Sequence, residues 1–97
     1  MKSLQITDHY QVVKVELAAG CSMPRHIATS DAFVIVESGT ALLIFSEQTY
    51  ELSKGVNMPI PANEQHMLKI LEDFKAYIVL ANTAQIQFPE KPGSNEK

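Results

Sequence analysis

The sequence predicts an all-β domain, either a sandwich or a barrel, and three observations support this fold class. Apolar and polar residues alternate with a period of two along residues 11–17, which is typical of a strand with one buried face. No segment carries a sustained apolar stripe of helical period. Turn residues divide the chain into roughly eight or nine short strands, as in sandwiches and barrels. An immunoglobulin-like sandwich is the rival, but the chain has no Trp and only one Cys.

Local sequence patterns predict the strands in the first half of the chain. The strand over residues 11–17 ends at Gly20. Residues 33–36 (FVIV) are apolar on both faces, which predicts a strand covered on both sides. Residues 37–40 predict a turn, and residues 41–45 predict a further apolar strand.

The second half begins with a short predicted strand over residues 50–52 and a tight turn at Gly55, where glycine accepts a positive φ. Residues 57–61 are predicted to be extended, because Pro59 and Pro61 keep the preceding residues out of the helical region. Asn63 is the residue best suited to a left-handed conformation in the next turn.

The last strands are predicted as a hairpin, with residues 66–71 and 74–80 joined at residues 72–73. Residues 85–88 predict an edge strand. Residues 89–97 contain no apolar side chain except prolines, so we expect a flexible tail after a single domain spanning residues 1–88.

Composition narrows the classes of partner. The net charge is -3 and no Lys/Arg cluster is present, which argues against nucleic acid. No apolar run is long enough to span a bilayer, so no membrane association is expected. The single cysteine, Cys21, cannot form an internal disulfide and is expected to be an inert, half-buried thiol. With no signal-like N-terminus, we expect a cytoplasmic protein.

Two glycine-framed stretches carry a family resemblance. The first runs from Gly20 through His26 to Gly39, and the second runs from Gly55 through Pro61 to His66. Their spacing resembles the two motifs of a small single-domain cupin, and the resemblance covers residues from about 10 to 88. It implies a single jelly-roll β-barrel in which His26 and His66 face each other near the barrel mouth.

The departures from the cupin pattern fall on its metal ligands. Metal-binding cupins hold a divalent ion with two histidines and a glutamate of the first motif and one histidine of the second. Here Ala28 and Ala32 stand at two of those positions, and Asp31, one residue away, would point to the opposite strand face. His26 and His66 alone would hold Fe, Mn, Ni or Zn only weakly, so no cofactor is expected.

The resemblance also implies a pocket between the two histidines. Its expected lining is His26, His66, Ala28, Ala32, Met23 and Met58. The two alanines make this pocket more apolar than a metal site, which suits an uncharged or partly apolar small molecule.

Three functions stay open on this basis. A non-catalytic cupin that binds or senses a small molecule comes first. The alternative is a metal-dependent oxygenase or isomerase that uses His26, His66 and a ligand outside the motifs, and a purely structural domain comes third. We also expect a homodimer, because exposed edge strands and apolar strand faces in so small a barrel favour pairing.

Overall fold

Eight strands and no helix make up residues 2–88, the part of the chain described by the computed structural model. The predicted tail over residues 89–97 lies outside this part. Within the described residues, no helix is long and apolar enough to cross a membrane. The strands are β1 (Lys2–Ile6), β2 (Tyr10–Leu17), β3 (Ser22–Ala28), β4 (Ala32–Phe45), β5 (Thr49–Ser53), β6 (Asn57–Ile60), β7 (His66–Ala81) and β8 (Ile86–Gln87).

Two long strands form the spine of the fold. β4 has 14 residues and β7 has 16, and they pair antiparallel from Ala32 opposite Leu80 to Phe45 opposite His66. Their register shifts between Val36 and Ala41, which is where β-bulges bend a sheet. The bend divides both strands into two arms.

The remaining strands extend the sheet from these two arms. On one side of the bend, β2 and β1 continue from β7, and β6 continues from β4. On the other side, β3 and β8 continue from β7, and β5 continues from β4. The sheet curls on itself, and its inward side chains from both halves form one core. The prediction of an all-β, jelly-roll barrel is confirmed.

Gly39 lies at the bend and has a backbone reason for being glycine. Its φ is +87°, a left-handed conformation that L side chains rarely adopt. A Cβ at this position would collide with the carbonyl oxygen of Asp73 and would lie 2.8 Å from the Cα of Phe74. The absence of a side chain therefore lets β4 approach β7 closely at the point where both strands turn.

The predicted boundaries are wrong at this bend. Residues 33–36 and 41–45 are parts of the continuous strand β4, with no turn at 37–40. Residues 66–71 and 74–80 do not form a hairpin, because both belong to β7 and pair with β4. Polar residues at a solvent-exposed bend have the same composition as a turn, so local pattern does not separate the two cases.

Two strands were not predicted at all. Every side chain of β1 is exposed, so β1 carries no alternation of buried and exposed positions. In β3 the alternation is broken by a register shift between Met23 and His26. Of the predicted local conformations, β2, β5, β6 and β8 are confirmed, as is the left-handed Asn63, whose φ is +63°.

The outward side of one sheet half is more apolar than a typical solvent-facing surface. Phe33 and Ile35 are 42% and 39% exposed, so the prediction that residues 33–36 are covered on both sides is wrong for the single chain. By register, Phe33 lies beside Val79 and Ile35 beside Tyr77 on β7, and Val12 of β2 lies on the other side of Val79. We call these five residues the outer apolar face.

Candidate functional site

The site is centred on two buried histidines from neighbouring antiparallel strands. His26 of β3 is paired directly with His66 of β7. The two side chains are only 5% and 6% exposed, and they are the buried polar side chains of the described core. The expectation that His26 and His66 face each other is confirmed, since their ring centroids lie 4.3 Å apart at an interplanar angle of 65°.

A β-bulge places Met23 beside His26. Residues three apart on a regular strand point to opposite faces. Here the pairing of β3 with β7 shifts register between Met23 and His26, so both side chains turn inward and line one cavity. Pro24, which donates no ladder hydrogen bond, lies within this shift.

Two aromatic rings cover the imidazoles. The ring of Phe45, at the end of β4, lies 5.6 Å from the ring of His66. The ring of Phe88, which follows β8, lies 5.3 Å from the ring of His26. Neither aromatic was predicted as part of the site. The alternation of Ile86 and Phe88 on the last strand was the available signal, but it did not indicate which ring Phe88 would contact.

The hydrogen bonds of the histidines define their tautomers. Nδ1 of His26 lies 2.7 Å from the carbonyl oxygen of Pro24, and Nδ1 of His66 lies 2.9 Å from that of Glu64. A carbonyl oxygen only accepts, so each Nδ1 carries the proton and donates it. In the neutral ring Nε2 then has a free lone pair, and within residues 2–88 neither Nε2 has a hydrogen-bond partner.

Burial keeps both rings neutral. Desolvation lowers the pKa of His26 below its ordinary value, the bond to the Pro24 carbonyl partly opposes this, and neighbouring His66 lowers it further. Desolvation also lowers the pKa of His66, opposed by the carbonyl and the carboxylate of Glu64. Both sites therefore present an unprotonated Nε2 at neutral pH.

The cavity lined by both histidines is small and apolar. Its volume is about 30 Å³, and apart from Met23, His26 and His66 its lining is entirely aliphatic or aromatic. This volume accommodates about one water molecule. The cavity that the histidines line therefore has room for about one water molecule, and not for an organic ligand.

Two depressions larger than this cavity lie around Phe45. One groove of about 540 Å³ is lined by Phe45, Tyr50, Met58 and Glu64, among others. A second depression of about 220 Å³ also contacts Phe45 and includes Arg25, Gln65 and His66.

Of the other four predicted pocket residues, only Met23 lines the cavity at the histidines. Ala28 and Ala32 are each 5% exposed and pack in the hydrophobic core, and neither lines the cavity at the histidines. Met23 lines that cavity, whereas Met58 lines the outer groove. Cys21 is exposed and not half-buried as predicted, because it precedes the inward-turning part of β3.

The described residues do not fit the divalent ion that the resemblance implies. Two positions of the ligand set carry methyl groups, and Oδ1 of Asp31 accepts a hydrogen bond from the backbone N–H of Ala62. Within residues 2–88 no three His, Cys, Asp or Glu side chains come together as a metal site. A divalent transition ion in a structural or catalytic protein site normally has three or more protein donors.

Comparison with known proteins agrees with the fold. The cupin domain family model matches residues 13–81. The conserved SPY1581 protein of unknown function from Streptococcus pyogenes is 26% identical, with a TM-score of 0.74 over 92% of this chain and 73% of that protein. No curated protein matches the sequence.

Two further solved structures share the fold at lower identity. A double-stranded β-helix protein from Klebsiella pneumoniae is 20% identical, with a TM-score of 0.79 over 92% of this chain and 77% of the other. KdgF from a Halomonas species is also 20% identical, with a TM-score of 0.76 over 84% of this chain and 77% of its own. The resemblance inferred from the glycine-framed motifs is confirmed: the chain belongs to the cupin domain family.

Proposed function

We propose that this protein is a cupin that binds or senses a small molecule and is not an enzyme. The histidine pair is the observation that carries this proposal. Both rings are neutral, and each is oriented by a backbone carbonyl and not by a carboxylate. A histidine that acts as a general base is normally oriented by an acidic partner, and three donors would be needed to hold a catalytic divalent ion.

The groove beside Phe45 is the proposed binding site. Its volume of about 540 Å³ lies within the range of small-molecule pockets, whereas the inner cavity is too small. Phe45 forms part of its wall and also contacts the ring of His66, so the groove adjoins the histidines. Tyr50 and the carboxylates of Glu47 and Glu64 add polar groups. This lining suits a partly apolar molecule that donates hydrogen bonds.

Exchange of Tyr50 tests the location of the site. Tyr50 is 39% exposed, so Tyr50→Ala removes groove wall without opening the core. Tyr10→Ala is the matched control, since Tyr10 is 45% exposed and does not line the groove. Candidate ligands come from two sources. Native mass spectrometry identifies compounds that co-purify with the protein, and a thermal-shift screen identifies binders in a metabolite library.

We expect a ligand that raises the melting temperature of the wild type and of Tyr10→Ala, with an affinity at least tenfold weaker for Tyr50→Ala. Equal affinity for both variants would contradict the groove as the site. Turnover of any library compound with added Fe, Mn, Ni or Zn, abolished by His66→Gln, would contradict the non-catalytic assignment.

A further inference from the structure

We propose that the ligand of the groove beside Phe45 is a protonated amine with an apolar body, an assignment that rests on the small-molecule function proposed above. The charge of the groove, its hydrogen-bonding groups and its aromatic walls each favour this class of molecule. The histidine pair takes no part in it, because neither imidazole lines the groove.

The charge of the groove is negative. Among the described residues that line it, the charged side chains are Glu47, from the loop between β4 and β5, and Glu64, from the turn before β7. The ion pairs within residues 2–88 join Glu16 to Lys14 and Lys75, so neither groove carboxylate is paired with a cation there. A cleft lined by charges of one sign concentrates ligands of the opposite sign.

The hydrogen-bonding groups of the groove are mainly acceptors. The two carboxylates only accept hydrogen bonds. The hydroxyl group of Tyr50 donates its proton to Oε1 of Gln48, so its oxygen is left to accept from a ligand. Ser46 and the amide of Gln48 can also donate, but neither carries a charge. An ammonium group, which has three N–H donors and no acceptor, matches this arrangement.

Two aromatic rings form adjoining walls of the groove. The rings of Phe45 and Tyr50 lie 5.9 Å apart at an interplanar angle of 82°. Met58 adds a thioether to the same lining. These side chains give the carbon skeleton of a ligand an apolar surface, and the faces of aromatic rings also attract cations. The walls therefore suit an organic cation better than a strongly hydrated inorganic one.

Other classes of ligand fit this lining less well. An anion would meet two like charges, and a neutral molecule would leave both carboxylates without a counter-charge. Within residues 2–88 no three His, Cys, Asp or Glu side chains come together, so a metal ion would have few protein ligands here. Arg25 lines the neighbouring depression and not the groove, so its guanidinium does not neutralise the groove from within.

Three probes with the same apolar body and different charge test the class of ligand. They are 2-phenylethylamine, which is a cation at neutral pH, 2-phenylethanol, which is neutral, and 3-phenylpropionate, which is an anion. In ¹H–¹⁵N titrations of the wild type at low ionic strength, the amine should shift the backbone amide signals of Ser46 and Gln48. We expect its Kd to be at least tenfold lower than that of the alcohol, with the anion weakest.

Replacement of the two carboxylates tests the origin of this preference. In Glu47→Gln/Glu64→Gln, the preference for the amine over the alcohol should fall below threefold, while the affinity for the alcohol stays unchanged. Glu51→Gln is the matched control, because Glu51 is an exposed residue of β5 that does not line the groove. It loses the same kind of charge and should keep the wild-type preference.

The outcomes separate the amine from the site itself. If the alcohol binds as tightly as the amine and Tyr50→Ala weakens both, the amine class is overturned and the groove remains the binding site. If the amine binds Tyr50→Ala and the wild type with equal affinity, the groove and the amine class are both contradicted. An equal loss of preference in Glu51→Gln and in the double variant would also overturn the amine class, since general surface charge would then account for it.

Discussion

Two neutral imidazoles in an apolar interior should make the stability of this barrel depend on mild acid. The pKa of both His26 and His66 is lowered on folding, chiefly by desolvation, from an ordinary value of 6.5. Below about pH 6.5 the unfolded chain therefore binds protons that the folded chain excludes. The stability associated with keeping the two imidazoles neutral is therefore fully present above about pH 6.5, and it is lost as the pH falls towards the folded-state pKa values.

We expect the free energy of unfolding of the metal-free protein, measured with urea in the presence of a chelator, to decrease between pH 7 and pH 5. This range lies above the ordinary titration of carboxylates. The double variant His26→Gln/His66→Gln should have a smaller slope, since it lacks both titrating groups. An equal slope in the two proteins would contradict this account.

Ala28 and Ala32 should be the residues that separate this chain from divalent-metal cupins. In Ala28→His/Ala32→Glu, a carboxylate enters the core, and we expect the metal-free variant to lose about 2–4 kcal/mol of stability. The introduced histidine and glutamate side chains extend beyond the alanine methyl groups, which do not line the cavity, so manganese or nickel should restore the melting temperature by completing a four-ligand set with His26 and His66. Ala41→Glu, at an equally buried position away from the histidines, should be destabilised without rescue by metal.

Much of the site, but not all of it, follows from sequence at the scale of residues. Motif spacing predicted that His26 and His66 would meet, because spacing along strands determines which residues become neighbours. It did not predict how Met23 turns inward beside His26, since the bulge that turns it is a property of the pairing with β7. The contact of Phe88 with His26 depends on where the last strand docks.

At the scale of elements, the alternation of apolar and polar residues predicts strands that have one buried face. It misses strands in which this alternation is absent or interrupted. β2 has alternating side chains and was predicted almost to its ends. β4 and β7 were each predicted as two strands, because their polar bend resembles a turn. The close approach of two strands at a glycine is a contact between residues far apart in the chain, so a local sequence pattern does not predict it.

The bend itself can be tested by substitution of glycines. Gly39→Ala should destabilise the protein by about 2–4 kcal/mol, since the methyl group collides with the backbone of Asp73 and Phe74 and the φ is positive. Gly20→Ala and Gly55→Ala are matched controls, because both have φ near +90° with no atom within 4 Å of the added Cβ. They should lose only about 1–2 kcal/mol. If urea unfolding shows the same loss of stability in Gly39→Ala as in the two control variants, the contact at the bend does not contribute to stability.

At the scale of the whole molecule, the outer apolar face bears on the predicted homodimer. Lys14 borders this face on the β2 side, and Glu37 borders it on the β4 side, where its carboxylate accepts a hydrogen bond from Tyr77. A two-fold axis running along β7 would lay the β2 side of one copy over the β4 side of the other. Lys14 would then meet the partner copy's acidic border while Phe33 and Ile35 are covered.

We expect the chain to be dimeric at tens of micromolar by sedimentation and Phe33→Asp to be monomeric, because the charge would be buried at the centre of the interface. Leu71→Asp is the control, since Leu71 is 45% exposed and lies outside the outer apolar face. A monomeric wild type, or dissociation of Leu71→Asp as well, would contradict this interface.

The continuous pairing of β4 with β7 has a consequence for how quickly the chain folds. The nearest partners in this ladder, Phe45 and His66, are already separated by β5 and β6, and Ala32 and Leu80 are farther apart still. No local hairpin over residues 66–80 exists to nucleate the second half, so the spine must close by long-range encounters. We expect refolding on the scale of milliseconds to seconds, with β5 already paired to β4 before β7 arrives.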